Sequence, residues 1–184
     1  AGEPDKEFIS RVVADSKETA KQAAERGTRV HESIERWYGG DHYVEHPEIA
    51  KAFEQKVSEH FGGHTGWQTE VAFASELGFG GKVDLYFPAT AEAPDGIVLD
   101  AKSKEFGPDN VDKVVGYDEH LMQLAAYRHG LGLSNARCAN VFASVNNPGL
   151  IKVVEWSPED LNKGWEMFKC LLQFWKLKNN FGLS

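Results

Sequence analysis

In Gly96-Ile97-Val98-Leu99-Asp100-Ala101-Lys102 an apolar run of strand length ends in two ionisable residues. Three branched apolar residues after a glycine fit a strand covered on both faces, the habit of a central strand in a helix-flanked sheet. Side chains alternate along a strand, so Asp100 and Lys102 leave the same face, and an acid and an amine share one site.

The neighbouring sequence supplies the rest of the sheet. Thr69-Glu-Val-Ala-Phe-Ala-Ser75 and Gly81-Lys-Val-Asp-Leu-Tyr-Phe87 alternate with period two, and a loop containing Pro88 and Pro94 leads into the stretch above. Three adjacent strands follow. Two more are predicted over Arg137–Val145 and Leu150–Trp156, joined at the turn signal Asn146-Asn147-Pro148-Gly149.

Helical spacing surrounds the strands. One helix is predicted before Gly27 and a second over Thr28–Trp37, because glycine interrupts the pattern there. After Gly39-Gly40, Pro47 opens a helix carrying Ile49, Ala50, Phe53, Val57 and Phe61, ended by Gly62-Gly63. A long helix is predicted from Val111 to about Leu131. A last one runs from the cap Ser157-Pro158-Glu159-Asp160 to roughly Lys178. The expected fold is an α/β sandwich, a central mixed β-sheet flanked by α-helices. It reads as a single domain over residues 1–184, with a helical N-terminal region (1–66), a core (67–156) and a C-terminal helix (157–184).

The 184 residues are 41% hydrophobic and 26% charged, a globular composition of single-domain size. Apolar runs are broken by charge every few residues, so no membrane span is expected, and the start AGEPDKEF lacks a signal-peptide pattern. Both point to an intracellular protein, with the cytoplasm of a bacterial or phage-infected cell favoured and the mitochondrial matrix an alternative. The two cysteines, Cys138 and Cys170, are too few for a four-thiolate metal site and read as buried small hydrophobes, so no iron–sulfur cluster is expected. A net charge of −8 argues against gripping nucleic acid through bulk electrostatics.

Asp84 lies on the strand before Asp100, where strand spacing of about 4.8 Å brings the two carboxylates together. A divalent cation relieves their repulsion, and hard oxygen donors suit Mg²⁺ or Mn²⁺. Such an ion acidifies a bound water and offsets charge on a phosphate, while Lys102 orients the nucleophile or stabilises the transition state. A lone D-x-K tripeptide equally describes a structural ion pair at a strand end. Likewise His31, one turn before Glu35, could be an ordinary helix-surface residue.

The ordered set is more telling than any member. Gly81-Lys82-Val83-Asp84 followed by Ile97-Val98-Leu99-Asp100-Ala101-Lys102 resembles the core of the PD-(D/E)XK nucleases. Gly27-Thr28-Arg29-Val30-His31 upstream and Gln123-Leu124-Ala125-Ala126-Tyr127 downstream make it similar to the RecB-type exonuclease branch, in the manner of phage and mitochondrial genome-maintenance exonucleases. The resemblance implies a restriction-endonuclease-like core and metal-dependent hydrolysis of DNA, on single strands or ends, in DNA processing, repair or recombination. It implies metal ligation by His31, Asp84, Asp100 and the Ala101 carbonyl, catalysis by Lys102 with Asp84 and Asp100, and substrate positioning by Gln123 and Tyr127. Glu70 matches an acidic position often found on the preceding strand. Ser103 stands where many relatives carry threonine, and the cysteine cluster of iron–sulfur relatives is missing.

Lys82, Lys104, Lys113 and Arg128 fall near these motifs and could line a cationic groove. Trp37, Tyr38, Phe106 and Tyr117 could stack on bases, although core packing is the simpler expectation. No G-x-S-x-G, G-x-x-x-x-G-K-[ST] or H-E-x-x-H motif offers another chemistry. Two alternatives stay open: a structure-specific or restriction-type endonuclease, and a non-catalytic nucleic-acid-binding module of the same fold.

Overall fold

The computed structural model describes residues 5–182. Its elements are α1 (Asp5–Tyr38), α2 (Pro47–Phe61), β1 (Gln68–Ser75), β2 (Phe79–Phe87), β3 (Ile97–Lys104), α3 (Asp118–Gly130), β4 (Arg137–Ser144), β5 (Ile151–Trp156) and α4 (Pro158–Lys178). The strands form one mixed sheet in the order β1-β2-β3-β4-β5. β3 and β4 are parallel, and the other three pairings are antiparallel. A parallel pair needs a crossover, and α3 provides it.

Strand alternation sorts the core into two layers. Ile97, Leu99 and Ala101 of β3 and Ala139, Val141 and Ala143 of β4 pack beneath α2 and the C-terminal half of α1. Val98 and Cys138 face the other way, against Leu121, Leu124 and Ala125 of α3 and Leu161 of α4. Asp100, Lys102 and Asn140 share the parity of Val98 and Cys138, so they emerge on the α3 side.

Helices begin and end for local reasons. Pro47 occupies the first turn of α2, and its C-cap Gly62 adopts φ 102°, a left-handed conformation that glycine reaches without penalty. Ser157 caps α4 by accepting the Asp160 N–H at 3.0 Å, with Pro158 next.

Two helical expectations are corrected. α1 runs unbroken through Gly27. That glycine is a packing residue: a Cβ there would lie 2.9 Å from Ser103 Oγ, so its absence lets α1 approach β3 closely. The helix expected from Val111 begins only at Asp118, preceded by a single 3-10 turn at Val111–Lys113. Val114 is instead drawn into a small cluster with Phe106 and Phe142, which holds the intervening chain extended. Cys138 is buried as expected, whereas Cys170 is exposed on α4. Among the described residues no helix is long and apolar enough to cross a membrane.

Candidate active site

The β2–β3 ladder runs from Phe87↔Ile97 to Leu85↔Leu99 and stops there. Beyond it the Ala101 N–H donates to Asp84 Oδ2 at 2.8 Å, so a side-chain carboxylate takes over from the backbone ladder. β2 also turns over at this point. Val83 packs under α3 and α4, whereas Leu85 and Phe87, of the same parity, pack under α1 and α2. Across from Asp84, in the gap between the pairs Thr69↔Leu85 and Val71↔Val83, Glu70 has φ 56°. A left-handed glutamate costs about 1 kcal/mol or more, so the distortion is concentrated on the row that holds the acids.

Asp100 is 1% exposed and fully engaged. Lys102 Nζ lies 3.0 Å from Oδ1 and 2.8 Å from Oδ2, and the Asn140 amide donates to Oδ2 at 2.8 Å. Behind Asn140, Trp156 Nε1 donates to its Oδ1 at 2.8 Å. On the other side Lys102 donates to Gln123 Oε1 at 3.2 Å, and Gln123 Nε2 donates to the Tyr127 hydroxyl at 2.7 Å. One chain of hydrogen bonds thus runs from β5 through β4 and β3 to α3. The spacing of four between Gln123 and Tyr127 puts both on the helix face that meets the strand.

His31 reaches the acids from α1, with Nδ1 3.8 Å from Asp84 Oδ2. Burial pushes the Asp84 carboxyl above its ordinary value. The Asp100 charge adds to this, against the lowering influence of His31, the Ala101 N–H and Lys102. The Tyr127 hydroxyl is likewise raised, by burial first and then by the charges of Asp100 and Asp84, with Gln123 opposing. A groove of about 520 Å³ opens over His31 and Asp84, with Glu32, Glu35, Glu70 and Lys82 on its walls. Its surface is predominantly acidic, with Lys82 ion-paired to Glu70.

The structure therefore gathers His31, Glu70, Asp84, Asp100, Ala101, Lys102, Gln123 and Tyr127 around the end of the β2–β3 ladder. Among the described residues, no three His, Cys, Asp or Glu side chains converge as a ready-made metal cage. The expected cationic groove is not fully formed: Arg128 is 2% exposed and bonded to Asn162 of α4. Of the aromatics, Phe106 is buried with Val114 and Phe142, Trp37 and Tyr38 pack against the separate core beneath α1 and α2, and Tyr117 is exposed with Lys104 Nζ 5.6 Å from its ring centroid.

Two site residues escaped the sequence reading. Asn140 left a signal, being the polar residue in the apolar run Cys138-Ala139-Asn140-Val141-Phe142, since a buried polar group is the informative exception in a core strand. His120 left none. Burial lowers its pKa, with the Lys102 charge adding to the shift, and its ring packs 5.9 Å from that of Phe142, the residue opposite Lys102 on β4. Its Nδ1 accepts the Tyr117 N–H at 3.3 Å.

No family model matches the chain. No curated protein matches it either. Among solved structures it is similar to "Crystal structure of SSO0001", at 17% identity and a TM-score of 0.37, over 66% of this chain. The chain spans 56% of the length of that one.

Proposed function

We propose that this chain is a divalent-metal-dependent nuclease with a restriction-endonuclease-like core, acting as an exonuclease on single strands or ends of DNA. The observation that carries the reading is the ion pair of Lys102 with buried Asp100, set beside Asp84 through the Ala101 N–H. An amine held between an acid and an amide, next to a second carboxylate whose proton affinity is raised, supports a reading in terms of phosphate and cation chemistry.

The donor chemistry fits Mg²⁺ or Mn²⁺. Asp84 and Asp100 are close enough for one charge to disfavour the other, and an imidazole stands at the open side. His31, Asp84, Asp100 and the Ala101 carbonyl would hold the ion, which when bound supplies an acidified water and charge neutralisation at phosphate. Gln123 and Asp100 fix the Lys102 ammonium for a phosphate oxygen or the attacking water. Tyr127 fixes Gln123 in turn. Asn140 holds the inner oxygen of Asp100, so that carboxylate does not rotate as Lys102 engages substrate.

One observation favours a second reading, a nucleic-acid-binding module without turnover: both Asp100 oxygens already have partners. The deciding experiment is incubation of the full chain with end-labelled single-stranded, blunt and nicked DNA, and with closed circles, in Mg²⁺ or Mn²⁺. Cleavage that disappears in Lys102→Ala supports the nuclease. Cutting of closed circles would assign endonuclease action, and binding without cleavage of any substrate would leave the module.

A further inference from the structure

Arg128 is a buried cation that the proposed chemistry does not use. It is 2% exposed, and its Nη2 donates to the neutral Asn162 Oδ1 at 2.7 Å. Its Nε is buried without a hydrogen-bond partner. Among the described residues it forms no ion pair, and no carboxylate charge acts on it. Burial accordingly presses its pKa below the ordinary arginine value. A buried charge with neither counter-ion nor full hydrogen bonding is destabilising, and buried charges are ordinarily paired.

A cavity of about 360 Å³ adjoins it, between the end of α3, the loop to β4 and the start of α4. Ser134, Asn135 and Asn162 line it as neutral hydrogen-bonding groups. Two acids also line it. Glu155 is ion-paired with Arg137, at 2.7 and 2.9 Å, and hydrogen-bonded to His60 at 2.7 Å. Asp95 is exposed. The guanidinium of Arg128 is thus a buried cation without an ion-pair partner, and the unpaired acid at the cavity, Asp95, stands exposed to solvent.

We infer that the Arg128 cavity binds a small oxyanion of the phosphate type, which supplies the missing counter-charge and accepts from Arg128 and the neighbouring amide and hydroxyl groups. Guanidinium matches such an anion in shape and charge. The site is separate from the candidate active site. It lies at the Ile97↔Arg137 end of the parallel pair, and five strand residues, about 16 Å, separate Ile97 from Lys102. The inference does not depend on nuclease activity.

The test is thermal unfolding of the full chain at pH 7 in EDTA, comparing sodium phosphate with sodium chloride at equal ionic strength. Phosphate at 100 times its dissociation constant should raise Tm by roughly 5 °C, saturably. Asn162→Asp places a carboxylate against Arg128. It should raise Tm in chloride and abolish the phosphate response, and Arg128→Met should abolish the response as well. If Arg128→Met does not fold, Asn162→Asp alone decides. Equal Tm in the two salts, or an undiminished phosphate response in Asn162→Asp, overturns the site. A 5′-phosphorylated and an unphosphorylated dinucleotide give the source: a shift with the phosphorylated one assigns a nucleic-acid end, and a shift with inorganic phosphate alone assigns a free ion.

Discussion

The Asn140 amide donates to Asp100 Oδ2 at 2.8 Å across the parallel β3–β4 pair. Its orientation is fixed from behind. The Trp156 indole N–H can only donate, so it must meet Asn140 Oδ1, as it does at 2.8 Å, which turns the NH₂ group toward Asp100. Asn140 is 0% exposed and Asp100 1%, so water cannot replace either bond.

Asn140→Ala therefore leaves Asp100 Oδ2 with Lys102 as its one remaining partner and takes the acceptor from the partly buried Trp156 indole N–H. The expected loss is about 2–3 kcal/mol in urea unfolding at neutral pH. Asn140→Asp sets a second negative charge against Asp100, so it should be more harmful at pH 7 and recover as pH falls. A loss in Asn140→Ala smaller than about 0.5 kcal/mol would show that the network is not closed in solution.

Lys102→Met keeps the aliphatic stem and removes the charge. Lys102 is a quarter exposed, so the stability cost should be about 2 kcal/mol, below the roughly 3–5 kcal/mol of a fully buried pair. On the proposed reading DNA cleavage falls by at least about a hundredfold, because a fixed positive group at the phosphate is lost. Mn²⁺ binding measured by calorimetry should survive, since both carboxylates remain. Unaltered cleavage would remove Lys102 from the mechanism.

Gly81 is the floor of the Tyr127 ring. A Cβ there would lie 2.7 Å from Tyr127 Cε1 and 2.9 Å from Phe73 Cε1. Gly81→Ala should cost about 1–3 kcal/mol through overpacking and should displace Tyr127 from Gln123. Tyr127→Phe, which keeps the ring and loses one hydrogen bond, should cost only about 1 kcal/mol. If the two variants melted together, the ring contact would not be the constraint.

Much of this was legible in sequence because the signals are local. Pro47 and Gly62 bound α2, Ser157-Pro158 opens α4, and alternating or continuous apolar runs with Gly and Pro punctuation mark the strands. Asp100 and Lys102 were readable from parity alone. What escaped depends on distant partners. Gly27 looks like a helix break until β3 brings Ser103 within 2.9 Å of its missing Cβ. Val111–Tyr117 looks helical until Phe106 and Phe142 draw Val114 aside. His120 meets Phe142, the residue opposite Lys102, only when α3 is laid on the sheet. The inversion of β2 at Asp84, with Glu70 at positive φ opposite, is a property of the assembled row that no single strand's pattern encodes.

Away from the site, Glu155 joins α2, β4 and β5 through His60 and Arg137, and Arg137 also lies 4.5 Å over the Phe61 ring. Burial alone would raise the Glu155 carboxyl, but the bonds from Arg137 and His60 outweigh it and hold the pKa below the ordinary 4.5. A carboxylate depressed in the folded chain contributes stability that is fully present above its unfolded value and disappears as pH falls through the folded one. Glu155→Gln should therefore cost about 1–2 kcal/mol at pH 7. The gap between the two proteins should begin to close below about pH 4.5 and vanish at lower pH, where Glu155 is protonated in both states. Arg137 is nearly half exposed, so 1 M NaCl should shrink the gap at pH 7 as well. Urea unfolding in steps from pH 7 to pH 2 measures this directly. A gap that stays constant across the series would mean that Glu155 acts through packing and not through its charge.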